Sequence, residues 1–220
     1  MSGVSPSELV ARVLVSLSGI DPHWTLSGGG ALVYVHLGHR TTKDLDLFWH
    51  GFRELGRLPA EVLRRLHDSG LTVVATETSP GFVRLRVTDT REVVLIDLVA
   101  TPTEVVDGPE RAVVAGQPLW VDSPHEILTN KLTALLSRSE IRDLIDIRAL
   151  VDAGGDLERA LRDAPRKDGG FSNATLAWVL NGFPVHAIAR GEGLSATQID
   201  AIEAFRVELV DRLTRLAAPE

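Results

Sequence analysis

The chain has no cysteine. That excludes disulfides and thiolate zinc sites, and it leaves oxygen and imidazole groups to hold any metal, a donor set suited to hard cations such as Mg²⁺ and to a cytoplasmic protein. Long apolar runs are also missing: no stretch approaches eighteen consecutive apolar residues, and the start, MSGVSPSELVARVLVSLSG, is interrupted by Glu8 and Arg12 and carries no basic leader. Neither a membrane span nor a secretory signal is expected. With 19 Gly and 11 Pro in 220 residues, 44% hydrophobic and 24% charged, collagen-like, low-complexity and disordered classes fall away. Positive charge is in deficit. The 23 Lys+Arg against 30 Asp+Glu give a net charge of −7, which argues against coating nucleic acid through overall charge and leaves only a local basic groove open. Lysine occurs at 43, 131 and 167 alone, so Lys131, inside a helical pattern, stands out.

A chain of this length buries roughly 70% of its unfolded surface. The pattern of its first half is mixed. Residues 6 to 17 repeat Leu9, Val10, Val13, Leu14 and Leu17 at helical spacing behind Ser5-Pro6. Trp24-Thr25-Leu26 reads as a short strand ending in Ser27-Gly28-Gly29-Gly30, and 31 to 37 as a short buried helix closed by Gly38. Residues 43 to 49 alternate as a strand, 59 to 69 form a helix stopped by Gly70, and 71 to 76, 82 to 87 and 93 to 99 are strands, the last buried on both faces. A loop follows from Pro102 to Pro109, and a last hairpin joins Val113-Val114 to 119 to 121. From Ser123 the period becomes helical: Ser123-Pro124-His125-Glu126 has the form of a capping box opening a helix to about 137, and helices follow near 140 to 153, 156 to 163, 172 to 181 and 195 to 217. The expected class is α+β: a mixed sheet flanked by helices over 1–121 and a helical bundle over 122–220.

Asp44-Leu45-Asp46 puts two carboxylates on one face of a strand, roughly 7 Å apart, with Leu45 and Leu47 turned into the core. Adjacent carboxylates repel unless a cation lies between them, and paired divalent ions are a common answer in phosphoryl and nucleotidyl chemistry; an exposed strand with two solvated aspartates is the plain alternative. Asp97 sits in Val93-Val94-Leu95-Ile96-Asp97-Leu98-Val99, where a buried carboxylate must meet a cation. Arg84 or Arg86 would supply a structural ion pair; alternatively Asp44, Asp46 and Asp97 form a three-carboxylate Mg²⁺ (or Mn²⁺) cluster on neighbouring strands. Ser27-Gly28-Gly29-Gly30 runs directly into an apolar helix, where free N–H groups and the helix dipole favour phosphate. Arg40 lies between this turn and Asp44, placed to reach a triphosphate or to be an ordinary surface arginine. Lys131 borders a seam of Leu128, Leu132 and Leu135 and either snorkels or binds ligand, while Arg142 and Asp146 have the spacing of an i, i+4 salt bridge. Arg57, Arg64, Arg65, Arg138, Arg142 and Arg148 are either solvated singly or a local RNA groove.

The order of Ser27-Gly28-Gly29-Gly30-Ala31-Leu32, His39-Arg40-Thr41-Thr42-Lys43-Asp44-Leu45-Asp46-Leu47-Phe48, Asp97, Lys131-Leu132-Thr133-Ala134-Leu135 and Arg142-Asp143-Leu144-Ile145-Asp146 resembles the AbiEii/AbiGii toxin family over roughly residues 20 to 155. The resemblance implies a DNA polymerase β-like nucleotidyltransferase fold and a toxin of a type IV-like toxin–antitoxin system. Matched by position, it implies that Gly28, Gly29 and Gly30 with Ser27 and Arg40 bind nucleotide, that Asp44 and Asp46 bind metal with Asp97 as third carboxylate, that Lys131 contacts phosphates, and that Asp146 is needed for activity, with Arg142 and Asp143 in support. The glycines here follow a serine rather than precede a serine or threonine, which removes the hydroxyl that many relatives carry after the turn. The implied substrates are an NTP and an acceptor hydroxyl, the 3′ end of tRNA foremost, and the implied partner is a cognate antitoxin. Transfer to a small-molecule antibiotic or to a protein, and an idle nucleotide-binding module, are the competing readings.

Overall fold

The computed structural model describes residues 3–138 and 140–218. The chain divides into two compact units, Met1–Pro124 and His125–Glu220.

In the first unit, α1 (Glu8–Leu17) is capped by the Ser7 side chain, which accepts from the Val10 N–H. β1 (Thr25–Ser27) leads directly into α2 (Gly28–Ala31), which continues as a π-helical turn over Leu32–His36. Then come β2 (Asp44–His50), α3 (Leu58–Asp68), β3 (Thr72–Ser79), β4 (Phe82–Thr88), β5 (Val93–Thr101), β6 (Glu110–Val114) and β7 (Gln117–Val121). Among the described residues the strands form one mixed sheet in the order β3-β4-β5-β2-β1-β7-β6. β2 runs parallel to β5 and β1 parallel to β7, the remaining pairs being antiparallel. The observed class is α+β with a mixed sheet.

Period-two alternation decides which face is core. Leu45, Leu47 and Trp49 on β2, Val83, Leu85 and Val87 on β4, and Val94, Ile96 and Leu98 on β5 are buried, and α1 and α3 pack against the sheet with Leu9, Val13, Leu14, Val62 and Leu66 buried. Each such aliphatic side chain contributes on the order of 1.5–3 kcal/mol. β5 is central, but it is not buried on both faces as its apolar run implies: Leu95, Asp97 and Val99 are only half-buried, on the face shared with Asp44 and Asp46. β3 outlasts its expected end at 76 because a bulge between Ala75 and Glu77 resets its pairing with β4 through Ser79.

The second unit is helical: α4 (Pro124–Ser137), α5 (Ile141–Asp152), α6 (Leu157–Lys167), α7 (Asn173–Asn181), α8 (Val185–Gly191) and α9 (Ala196–Ala217). α7 and α8 both pack on α9, which opens with a Ser195/Gln198 capping box. α6 runs past 163 through Pro165, which is tolerated in the final turn because it removes only one intrahelical donor. α8, seven residues behind Pro184, was not expected; it is too short to carry a periodic apolar signal. No helix among the described residues is long and apolar enough to cross a membrane.

Candidate active site

In the first unit the chemistry gathers on the half-buried face of the sheet. Asp44 and Asp46 lie there because Leu45 and Leu47 take the core. Register then fixes their neighbours. Asp46 stands beside Ser27 on β1 and beside Asp97 on β5, Asp97 beside Arg84 on β4, and Arg84 beside Glu77 on β3. Cross-strand partners share a face, so one polar row crosses five strands.

The glycine turn closes against this row. Gly28 has φ +53°, and a Cβ there would lie 2.2 Å from Asp46 Oδ2; only glycine lets the carboxylate sit against the backbone at the start of α2. A Cβ on Gly29 would fall 2.6 Å from Arg40 Nη2, so the guanidinium lies over the turn, with Nη1 donating to Thr41 O at 2.9 Å. Gly30 packs between Leu26 and Leu45 and brings α2 close to the sheet. Thr42 Oγ1 accepts from the Asp44 N–H at 3.2 Å and steadies the start of β2.

Asp44 and Asp46, as oxygen donors on one accessible face with a side-chain-free residue beside them, suit a hard divalent cation. Asp97 is otherwise engaged. Arg84 donates from Nε to Oδ1 at 2.7 Å and from Nη2 to Oδ2 at 2.6 Å, a bidentate pair that draws the Arg84 pKa upward. The three-carboxylate cluster is therefore not assembled: among the described residues no group of three His, Cys, Asp or Glu is arranged to hold an ion, and Asp97 has taken the arginine partner that the sequence left open.

In the second unit, Lys131 neither snorkels nor faces water. Its Nζ lies 2.6 Å from Asp143 Oδ1 and 3.0 Å from Asp146 Oδ2, and both carboxylates are fully buried. Burial opposes the ammonium, but Asp146 and Asp143 outweigh it and hold its pKa above the ordinary lysine value. Arg138 adds bonds of 2.8 and 3.1 Å to Asp143. Asp146 thus pairs with Lys131, while Arg142 reaches Glu192 at 3.2 Å. Of the arginines considered for an RNA groove, five carry carboxylate partners: Arg64 and Arg65 hold Glu61, Arg138 holds Asp143, Arg142 holds Glu192 and Arg148 holds Asp152.

Two features of the polar face had no local sequence signal. His50 Nε2 lies 2.8 Å from Asp122 Oδ1, and Asp122 is fully buried; the two are 72 positions apart. Phe48 and Trp120 share this face only because β1 brings β2 and β7 into register.

Solved structures are similar to this fold. A candidate nucleotidyltransferase from H. pylori is 17% identical, with TM-score 0.54 and 96% of each chain covered. JHP933 from Helicobacter pylori is 17% identical, with TM-score 0.52 over 96% of this chain and 92% of that one. An antigenic nucleotidyltransferase-like protein from Paracoccidioides brasiliensis is 18% identical, with TM-score 0.50 over 80% of this chain and 94% of that one. At these identities the likeness is one of fold. The family model of the nucleotidyl transferase AbiEii toxins of type IV toxin–antitoxin systems matches residues 10–217; the chain belongs to this family and is a nucleotidyltransferase. No curated protein matches it.

Proposed function

We propose that the protein transfers a nucleoside monophosphate from an NTP to an acceptor hydroxyl, the 3′ end of tRNA in the first instance, and that this transfer is the toxic act an antitoxin restrains in the cytoplasm. The observation that carries the reading is the approach of Gly28 to Asp46 across β1 and β2, which sets the start of α2 against a carboxylate pair. Backbone N–H groups at that start, with Arg40 over Gly29, suit the phosphates of a nucleotide. Asp44 and Asp46 would hold Mg²⁺ or Mn²⁺, which when bound supplies neutralisation of the triphosphate and of the charge developing on the leaving pyrophosphate. Arg84 keeps Asp97 oriented beside Asp46. The family resemblance assigns Lys131 and Asp146 to the activity as well, from a domain running from 122 to 220, with Arg142 and Asp143 in support.

The test incubates purified protein and its Asp46→Asn variant with Mg²⁺ and each of four α-³²P NTPs, with total tRNA, an aminoglycoside panel or no acceptor. Label at the tRNA 3′ end that disappears in the variant is the expected result. Label only on a drug or on the protein would move the acceptor to that class, and no label anywhere would overturn the reaction.

A further inference from the structure

Aromatic residues are few in this chain, six Phe, four Trp and one Tyr, yet three fall in one row across the polar face. Register pairs Phe82 with Val99, Val99 with Phe48, Phe48 with Thr25, Thr25 with Trp120 and Trp120 with Arg111. On β4, β5, β2 and β1 each member stands two residues from a member of the polar row, Phe82 from Arg84, Val99 from Asp97, Phe48 from Asp46 and Thr25 from Ser27. The two rows therefore share a face and lie one pleat repeat, about 7 Å, apart.

The row is built from π faces and cations. Arg111 lies over the Trp120 ring at 4.3 Å and Arg84 over Phe82 at 5.6 Å. The His23 ring is 5.4 Å from Trp120, and His50 meets Phe48 edge-on at 5.9 Å. Phe48, Phe82 and Trp120 are half-buried and the smaller Thr25 between Phe48 and Trp120 is buried, whereas Trp24 and Trp49 lie in the core with their Nε1 groups donating to the carbonyls of Leu17 and Pro22. From Asp46 to Trp120 is two strand spacings of about 4.8 Å and one pleat repeat, about 12 Å in all, well within the several nucleotides that a single-stranded site spans.

We propose that the row Phe82–Phe48–Trp120–Arg111 is a stacking floor for unpaired nucleobases beside the carboxylate pair, taken by a single-stranded 3′ end of a polynucleotide acceptor. The proposal rests on the nucleotidyl-transfer reading and names how its acceptor is held. Stacking on aromatic and guanidinium planes tolerates any base and needs only that bases be unpaired, and it lets a chain of net charge −7 recognise a polyanion without a broad basic surface. An NTP base has the same chemistry, so the experiment separates the two sources.

Anisotropy of a labelled eight-nucleotide single-stranded RNA, of a blunt duplex of equal length and of a fluorescent ATP analogue is followed on full-length protein carrying Asp46→Asn, alone and combined with Trp120→Leu, Phe48→Leu or Arg111→Gln. Arg111 is exposed on an edge strand, so its substitution keeps the test available where Trp120→Leu lowers folding; melting curves monitor all variants. Single-stranded RNA is expected to bind more tightly than duplex and to lose about tenfold in affinity with Trp120→Leu and several-fold with Phe48→Leu and Arg111→Gln, with the nucleotide changing less than twofold. Loss of nucleotide instead of RNA binding would overturn the acceptor as occupant and assign the floor to the NTP base. No loss of either, in folded variants, would overturn the floor. Asp46-dependent transfer that persists without Trp120-dependent binding removes the floor alone, and Trp120-dependent binding without any transfer removes the reaction alone.

Discussion

Lys131→Met is the substitution whose consequence the structure sets most sharply. It removes an ammonium 2.6 Å from Asp143 and 3.0 Å from Asp146, two carboxylates with no solvent exposure, and replaces it with a side chain of similar length and no charge. Arg138 still bonds Asp143, so that carboxylate keeps one cation while both lose the ammonium that offsets their mutual repulsion. Removing one partner of a buried pair costs about 3–5 kcal/mol, a large share of the 5–15 kcal/mol that holds a typical domain together. With a urea slope of about 2 kcal/mol per molar, the midpoint should fall by about 2 M, read by circular dichroism on the full-length chain. Adding Asp146→Asn to Lys131→Met should recover a good part of this, because a neutral amide no longer needs the ammonium. The pH dependence has a definite sign. The folded-state pKa of Lys131 is raised, so its contribution is fully present below the unfolded value near 10.5 and is lost as pH rises through the higher folded value. Wild type and variant should therefore differ at pH 7 and converge as pH rises into strong alkali. A midpoint unchanged within about 0.3 M, with transfer activity lost, would refute the reasoning and make Lys131 a purely catalytic group.

Gly28→Ala should abolish label transfer while leaving a folded protein, since the new Cβ meets Asp46 Oδ2 at 2.2 Å and alanine in the left-handed region costs about 1–2 kcal/mol; activity within twofold of wild type would count against the Gly28–Asp46 contact. Arg84→Gln should strengthen Mn²⁺ binding measured by calorimetry, because it removes a cation bound to both Asp97 oxygens beside Asp46; unchanged affinity would place Asp97 outside the metal's reach. In acid, stability should decline gradually rather than at one sharp step. Arg64 and Arg65 hold Glu61 at about 2, and the His125 partnership lowers Asp163; groups with depressed folded values contribute above their unfolded pKa, near 4, and lose that contribution as pH falls through the folded values. Urea midpoints between pH 5 and pH 2 check this, with a flat profile as the contrary result.

What the sequence revealed was local. The alternation of Asp44-Leu45-Asp46-Leu47 is enough to put both carboxylates on one face, since period two admits no other arrangement with leucines in the core, and the glycine turn is equally local. Pairings across long separations were not visible in the same way. Arg84 is 13 residues from Asp97, and only the β4–β5 register selects it over Arg86, which lies beside Leu95. An apolar run such as Val93–Val99 cannot by itself distinguish a strand covered on both faces from one whose second face is half-open. Lys131 looked like a border residue because its seam of leucines is visible in one helix, whereas its partners lie on the next one. The aromatic row is the extreme case: its members come from strands spread between Thr25 and Trp120, and no window of sequence contains it.

The four aspartates of the two motifs show why residue type alone did not settle their roles. Asp143 and Asp146 are fully buried against an internal ammonium and, for Asp143, a guanidinium; their charge is met within the helices, and a divalent ion could take them only by displacing Lys131. Asp44 and Asp46 are half-buried on an accessible face, against a turn whose first glycine leaves no side chain in the way. The same side chain is therefore fully buried against an internal cation in one unit and half-buried on an accessible face in the other, and only the second setting matches the metal-binding role proposed above. Lys131 has three N–H donors, and Asp143 and Asp146 take two of them. The phosphate contact that the family resemblance implies would therefore use the third donor with both aspartate bonds kept, because giving up either one leaves a buried carboxylate at a cost of several kcal/mol.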